Sequence, residues 1–189
     1  MTVADVTPLI EVEAAPGRVL AVVRGDITRI PADAIVNAAN SSLAGGGGVD
    51  GAIHRAGGRA IMRDLEARYG PGRHCPTGSA VLTAAGELPA SWVVHAVGPI
   101  WRGGGAGEPE QLASAYATSL RIADEQRAEH VTFPAISTGI YGYPAEAAAE
   151  VAVEALIAGL AAAEHVRRVT LVAFSPGSAE ILREAVARL

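Results

Sequence analysis

Short apolar runs alternate with longer segments of helical period along almost the whole chain. RVLAVVRG (Arg18–Gly25) is rich in β-branched residues and ends on a glycine, which predicts a strand; LIEVE (Leu9–Glu13) is placed to pair with it as a hairpin. DAIVNA (Asp33–Ala38) is a compact apolar run of the kind buried on both faces of a sheet. SAVLTAA (Ser79–Ala85), SWVVHAVG (Ser91–Gly98), HVTFPAI (His130–Ile136) and RRVTLVAF (Arg167–Phe174) read as further strands. Between them, Glu108–Glu129 puts Leu112, Tyr116, Leu120 and Ala123 on one helical face, and Pro144–Glu164 is a long alanine-rich helix. Ser178–Leu189 closes as a helix with Ser178 or a close neighbour as its cap. Strands alternating with helices predict an α/β fold, a central sheet covered on both faces.

Two loops that leave buried strands carry unusual chemistry. NAANSSLAGGGGVDGAIHRAGG (Asn37–Gly58) holds four consecutive glycines, one aspartate and the start of a helix. AISTGIYGYPAEAAAE (Ala135–Glu150) repeats the theme: small residues and glycines, then Pro144 at a first helical turn. Four glycines in a row are costly to order, so they need a reason. Without Cβ atoms a backbone can approach a ligand closely and aim successive N–H groups into one concavity. A helix beginning just downstream adds free N–H groups and a dipole that favours an anion. Two such loops face to face would hold a pyrophosphate with almost no positive side-chain charge. Gly46, Gly48 and Gly51 also satisfy G-x-G-x-x-G, but they come seven or more residues after the apolar core of the strand rather than in the tight turn of a dinucleotide fingerprint. A merely mobile surface loop fits poorly with the polar Asn37, Asn40 and Asp50 around it.

Composition narrows the chemistry. In 189 residues, all 15 basic side chains are arginine, so neither a lysine Schiff base nor a P-loop lysine is available. Net charge is −5 and no basic run marks a nucleic-acid footprint. The single cysteine, Cys75, rules out an internal disulfide and suits a reducing compartment; His74, His95, His130 and His165 have no mutual spacing suggestive of a metal site. No stretch reads as a signal peptide or a membrane span, so the expectation is one cytoplasmic domain over residues 1–189.

GDIT (Gly25–Thr28), DAIVNAANSSLAGGGGVDGAIHRAGG (Asp33–Gly58), CPTG (Cys75–Gly78), VVHAVGPIWRGG (Val93–Gly104) and FPAISTGIYGYP (Phe133–Pro144) together resemble the macro domain, in order and spacing. They look most like its MacroD-type branch of ADP-ribosyl hydrolases and O-acetyl-ADP-ribose deacetylases. The resemblance covers residues from about 19 to the end, leaving 1–18 as an N-terminal extension that adds a strand or hairpin. It implies a three-layer α/β/α fold around a mixed, roughly six-stranded sheet, with ADP-ribose in a cleft at its crest. It implies that Asp26 accepts from the adenine amine with Ile27 alongside, and that Asn37 and Asn40 lie below the distal ribose. Gly46, Gly47, Gly48 and Val49 match a first diphosphate loop; Ser137, Thr138, Gly139, Ile140 and Tyr141 match a second. Asp50 matches the hydrolases' catalytic aspartate, with Asn40 and Asn37 beside it. Asp50 either takes a proton from the attacking water or orients the ribose. His54, one turn on, reads as a satisfied, partly buried histidine, with tuning of the Asp50 site as the alternative. AFSPGSAE (Ala173–Glu180) departs from the acidic stretch of many relatives, although Phe174 keeps an aromatic near the adenine edge.

The implied activity is hydrolysis of ester-linked ADP-ribose, from acidic protein side chains or from O-acetyl-ADP-ribose, by a monomer without metal or cofactor. A non-catalytic ADP-ribose reader is the alternative. The implied partners are ADP-ribose, its esters and mono-ADP-ribosylated proteins, with nucleic acid only as an ADP-ribosylated substrate and no membrane.

Overall fold

The central strands are buried along nearly their whole length, and the faces to which successive side chains point sort the chain into layers. The computed structural model describes residues 6–189. Its strands are β1 (Ile10–Ala15), β2 (Arg18–Arg24), β3 (Ala34–Ala38), β4 (Ala80–Ala84), β5 (Trp92–Ala96), β6 (His130–Phe133) and β7 (Arg168–Ala173). The helices are α1 (Gly48–Gly57), α2 (Arg59–Tyr69), α3 (Glu108–Glu125), α4 (Ala145–Ala162) and α5 (Pro176–Ala187), with a 3-10 turn at Ile27–Arg29. All seven strands join one sheet in the order β1-β2-β7-β6-β3-β5-β4. The middle five run parallel; β1 and β4 close the edges antiparallel. The sheet is therefore mixed, as expected, but has seven strands rather than about six. Ile10–Ala15 makes the difference: its alternating residues give it one half-buried face, and it pairs with β2.

Leu20, Val22, Ala34, Val36, Val94, Ala96, Val169 and Leu171 point to one face, where Leu112, Tyr116, Leu120, Leu156, Leu160 and Leu182 of α3, α4 and α5 cover them. Val23, Ile35, Val93 and Val172 point the other way, toward Ile53 of α1 and Ile61 and Leu65 of α2. β2, β3, β5 and β7 thus bury residues on both sides, which is why they read as nearly continuous apolar runs. The last helix is capped by Ser175 through a box with Ser178, so Ser178 fills the third helical position instead of the cap itself. Two carboxylates, one exposed and one half-buried, tie the other end of the sheet: Asp33 accepts from the N–H groups of Glu129 and His130, and Asp124 from those of Glu164, His165 and Val166.

One consequence of the strand order places the site. β3 and β6 are parallel neighbours, but the chain leaves β3 toward α1 on one face and leaves β6 toward α4 on the other. Loops that part in this way open a crevice beyond the carboxyl ends of the strands.

Candidate active site

A cleft of about 440 Å³ occupies that crevice. From the loop after β3 it takes Asn40, Gly46, Gly47, Gly48, Val49 and Asp50; from the loop after β6 it takes Ser137, Gly139, Ile140 and Tyr141. Gly98, just past β5, completes the floor: a Cβ there would collide with Ser137 Oγ and with the Ile136 side chain. No arginine lines the cleft; the feature beside it that favours an anion is the N-terminus of α1, which starts at Gly48 behind the cap residue Gly47. Ser137 holds φ +67° without being a glycine, and its buried Oγ has no hydrogen-bond partner among the described residues. Such backbone strain persists only where the surroundings over-determine it. Here the Ser137 carbonyl accepts from the Tyr143 N–H at 3.0 Å, and Thr138 Oγ1 donates to the Ala135 carbonyl at 2.9 Å.

The two asparagines do different work. Asn40 stays in its own loop: its Nδ2 donates to the Gly45 carbonyl at 2.9 Å, while its Oδ1 accepts from Ser42 Oγ at 2.8 Å and the Ala44 N–H at 3.3 Å. It shapes the turn that delivers the four glycines. Asn37 is fully buried under the floor on the α1/α2 side of β3, and its Nδ2 donates to Asp50 Oδ1 at 2.7 Å. Asp50 lies in the first turn of α1, where the helix dipole favours a negative charge. Its Oδ2 takes no hydrogen bond within the described chain and sits beside Gly46, whose Cβ, if present, would be 3.2 Å away. Of the two carboxylate oxygens, Oδ1 is anchored and Oδ2 has no partner among the described residues, on a residue that lines the cleft. His54 Nε2 lies 3.4 Å from Asp50 Oδ1, so this histidine borders the site rather than merely filling the core.

Below Asn37 lies a residue that the sequence did not single out for the site. His95 is fully buried; its Nδ1 is 3.1 Å from Asn37 Nδ2 and its Nε2 is 2.9 Å from Thr83 Oγ1. Burial, with His54 adding to it, pulls the His95 imidazole from 6.5 down to about 3, against the smaller opposing pull of Asp50 and Asp64. His130 is also held below its ordinary value, by burial first and by Arg168 second. In both cases the unfolded chain takes up a proton before the folded one does. Stability is therefore present above the unfolded value of 6.5 and is lost as pH falls toward the folded value, about 3 for His95. His95 alone should contribute a slope of about 1.4 kcal/mol per pH unit across that window. Urea unfolding at pH 7.5, 6 and 5 reads the slope, and His95→Asn should flatten it; an unchanged slope in the variant assigns the effect elsewhere.

The second loop is braced from outside. Trp101 N–H donates to the Tyr141 carbonyl at 2.8 Å, and the Trp101 ring lies 4.5 Å from that of Tyr143. Glu108, buried, gathers the N–H groups of Arg102, Gly104 and Ala106. Burial opposes its ionisation, but these backbone bonds outweigh it and hold the carboxyl below its usual value.

Residues 36–152 match the sequence profile of the Macro domain. The chain belongs to the macro domain family. A macro domain-containing protein in the gbd 3' region of Cupriavidus necator is 53% identical over 168 residues, 89% of this chain and 97% of that protein. An O-acetyl-ADP-ribose deacetylase of Klebsiella pneumoniae is 50% identical over 166 residues, 88% of this chain and 95% of that one. Among solved structures, a variant of the Oceanobacillus iheyensis macrodomain with ADPR aligns at a TM-score of 0.86 and 36% identity, covering 95% of this chain and 97% of that one.

In this macro domain the expected ligand residues fall into three places. Asn40, Gly46, Gly47, Gly48, Val49, Asp50, Ser137, Gly139, Ile140 and Tyr141 come together around the cleft, with Ile140 95% exposed at its mouth. Asp26, Ile27 and Phe174 stand outside that lining, where β2 and β7 end side by side, Gly25 N–H donating to the Ala173 carbonyl. Asp26 caps the 3-10 turn, its Oδ1 accepting from Thr28 N–H and Thr28 Oγ1; Oδ2 lies 3.7 Å from Arg29. Ile27 is buried and Phe174 is 84% exposed. Thr138 faces a smaller cavity of about 20 Å³ against α4 and α5. Among the described residues no three His, Cys, Asp or Glu side chains are grouped to hold a metal ion, and no helix is long and apolar enough to cross a membrane.

Proposed function

We propose that this macro domain is a hydrolase that binds ADP-ribose in the cleft and cleaves esters on its distal ribose, O-acetyl-ADP-ribose and ADP-ribosylated acidic side chains among them. The relative from Klebsiella pneumoniae is named an O-acetyl-ADP-ribose deacetylase and the Oceanobacillus iheyensis macrodomain is solved with ADPR. The observation that carries the reading is a glycine-lined cleft without arginine at the start of α1, with one anchored carboxylate among its lining residues. The diphosphate would lie between the Gly46–Val49 and Ser137–Tyr141 loops, bound by backbone N–H groups and the α1 dipole. The adenine would extend toward Asp26 and Phe174, and the distal ribose toward Asn40 and Asp50.

In that pose the free Asp50 Oδ2 accepts a proton from water as the water oxygen attacks the ester carbonyl carbon. The bond between that carbon and the ribose oxygen then breaks. The departing ribose oxygen takes up the proton that Asp50 accepted, which restores the carboxylate and leaves free acid and ADP-ribose. Asn37 keeps Asp50 Oδ1 occupied, so Oδ2 is the oxygen left to accept the proton.

Acetate release from O-acetyl-ADP-ribose, measured beside calorimetric titration with ADP-ribose and with NAD, tests the reading. Turnover is expected, with ADP-ribose bound well and NAD poorly, because the loop around the distal ribose leaves little room for nicotinamide. Tight ADP-ribose binding with no hydrolysis of any ester in a substrate panel would make the protein a reader module. Equal affinity for NAD would overturn the proposed pose of the ribose.

A further inference from the structure

The hydrogen atoms beneath the cleft can be assigned one by one. The Asp50 carboxylate requires a donor at 2.7 Å, which fixes the Asn37 amide with its nitrogen toward Asp50. The second hydrogen of that nitrogen meets His95 Nδ1 at 3.1 Å, so Nδ1 must be an acceptor. A neutral imidazole with Nδ1 bare carries its hydrogen on Nε2, and Thr83 Oγ1 receives it at 2.9 Å. Burial keeps the ring neutral, as its depressed titration also indicates. Asn37 Oδ1 is itself buried and unpartnered among the described residues, so the amide is held in this orientation only through its nitrogen.

We infer that Thr83 and His95 are positioning residues: they hold the Asn37 amide so that it donates to Asp50 Oδ1, and thereby leave Asp50 Oδ2 as the oxygen presented to substrate. The inference rests on the proposed catalytic role of Asp50 and adds two residues that never touch the ligand. The sheet itself supplies the geometry. Asn37 and His95 are cross-strand partners in the parallel β3–β5 pair, and Thr83 lies on β4 across from β5. If the acceptor at Nδ1 is lost, an amide hydrogen is left buried and unpaired, and Asn37 is free to turn. Asp50 Oδ1 then keeps only the 3.4 Å contact with His54 Nε2, and the carboxylate samples other orientations. The phosphate loops keep their own bonds and are unaffected.

The test compares His95→Leu, His95→Asn, Thr83→Val and Thr83→Ser with wild type and Asp50→Asn, reading kcat on O-acetyl-ADP-ribose and Kd for ADP-ribose. His95→Leu should lower kcat about tenfold, the scale of one buried hydrogen bond, with Kd unchanged within about twofold. His95→Asn places an amide oxygen where Nδ1 was and should recover most of the lost kcat. Thr83→Val leaves Nε2–H without an acceptor and should also lower kcat, whereas Thr83→Ser should restore it. Should His95→Leu fail to fold, the Thr83 pair decides the matter alone. Wild-type kcat in both His95→Leu and Thr83→Val, with Asp50→Asn inactive, would overturn the relay and spare the site. His95→Asn as slow as His95→Leu would also overturn it, since shape and not the acceptor would then matter. Full turnover in Asp50→Asn would instead remove the reading of the site on which the relay depends.

Discussion

Asp50→Asn is expected to lower ester hydrolysis by about 100- to 10,000-fold, the usual range for a lost general base, while ADP-ribose affinity stays close to wild type. Asparagine keeps the shape of the side chain and an oxygen to accept from Asn37, but it cannot take a proton at the position of Oδ2. The separation follows from the geometry: the carboxylate is among the residues lining the glycine-lined cleft and contributes no positive charge to a diphosphate. The measurement pairs kcat for O-acetyl-ADP-ribose with calorimetry on the same preparation. Wild-type turnover would show that Asp50 is not the base, and a collapse of affinity with it would place the carboxylate in ligand binding instead.

The second large effect is on binding. Gly48 has φ +57° and opens α1, and a Cβ built there meets nothing within 4 Å. It lines the cleft, so a side chain would stand in the space proposed for the diphosphate. Gly48→Glu should cost about 1–2 kcal/mol of stability for its left-handed backbone. It should cost far more in affinity, because a carboxylate about 4 Å from a phosphate repels it by about 1–4 kcal/mol even when well screened. Added to the loss of close backbone approach, this predicts ADP-ribose binding weakened by at least about 100-fold. Normal affinity in a folded Gly48→Glu protein would move the phosphates away from this loop.

Much of the layer structure was legible from period alone. β2, β5 and β7 stand where the apolar runs predicted them, and α3 and α4 follow their helical period, because those elements bury apolar side chains at regular spacing. The edge strand β1 was legible as a hairpin partner of β2, although the macro domain resemblance by itself implied only about six strands. The role of Ser175 as a cap was missed by three residues, since Ser175 and Ser178 are chemically equivalent candidates until the helix axis is known.

The site divides along the same line. The glycine-rich loop, its lone Asp50 and the second loop at Ser137–Tyr141 announce themselves in sequence, because close backbone approach to an anion demands an uncommon local composition. His95 and Thr83 carry no such mark. A histidine or threonine inside an apolar strand looks the same whether it faces a void, a solvent edge or an asparagine. Only the register of β3 on β5 and of β5 on β4 turned Asn37, His95 and Thr83 toward one another beneath Asp50. The same holds for His54, whose one-turn spacing from Asp50 permitted contact but did not say which way the α1 face would turn. Local composition determines what a loop can bind, because that depends on atoms adjacent in the chain. Which oxygen of Asp50 is left free depends on hydrogen bonds between residues 13 and 58 positions apart, and those distances exist only once the sheet has chosen its register.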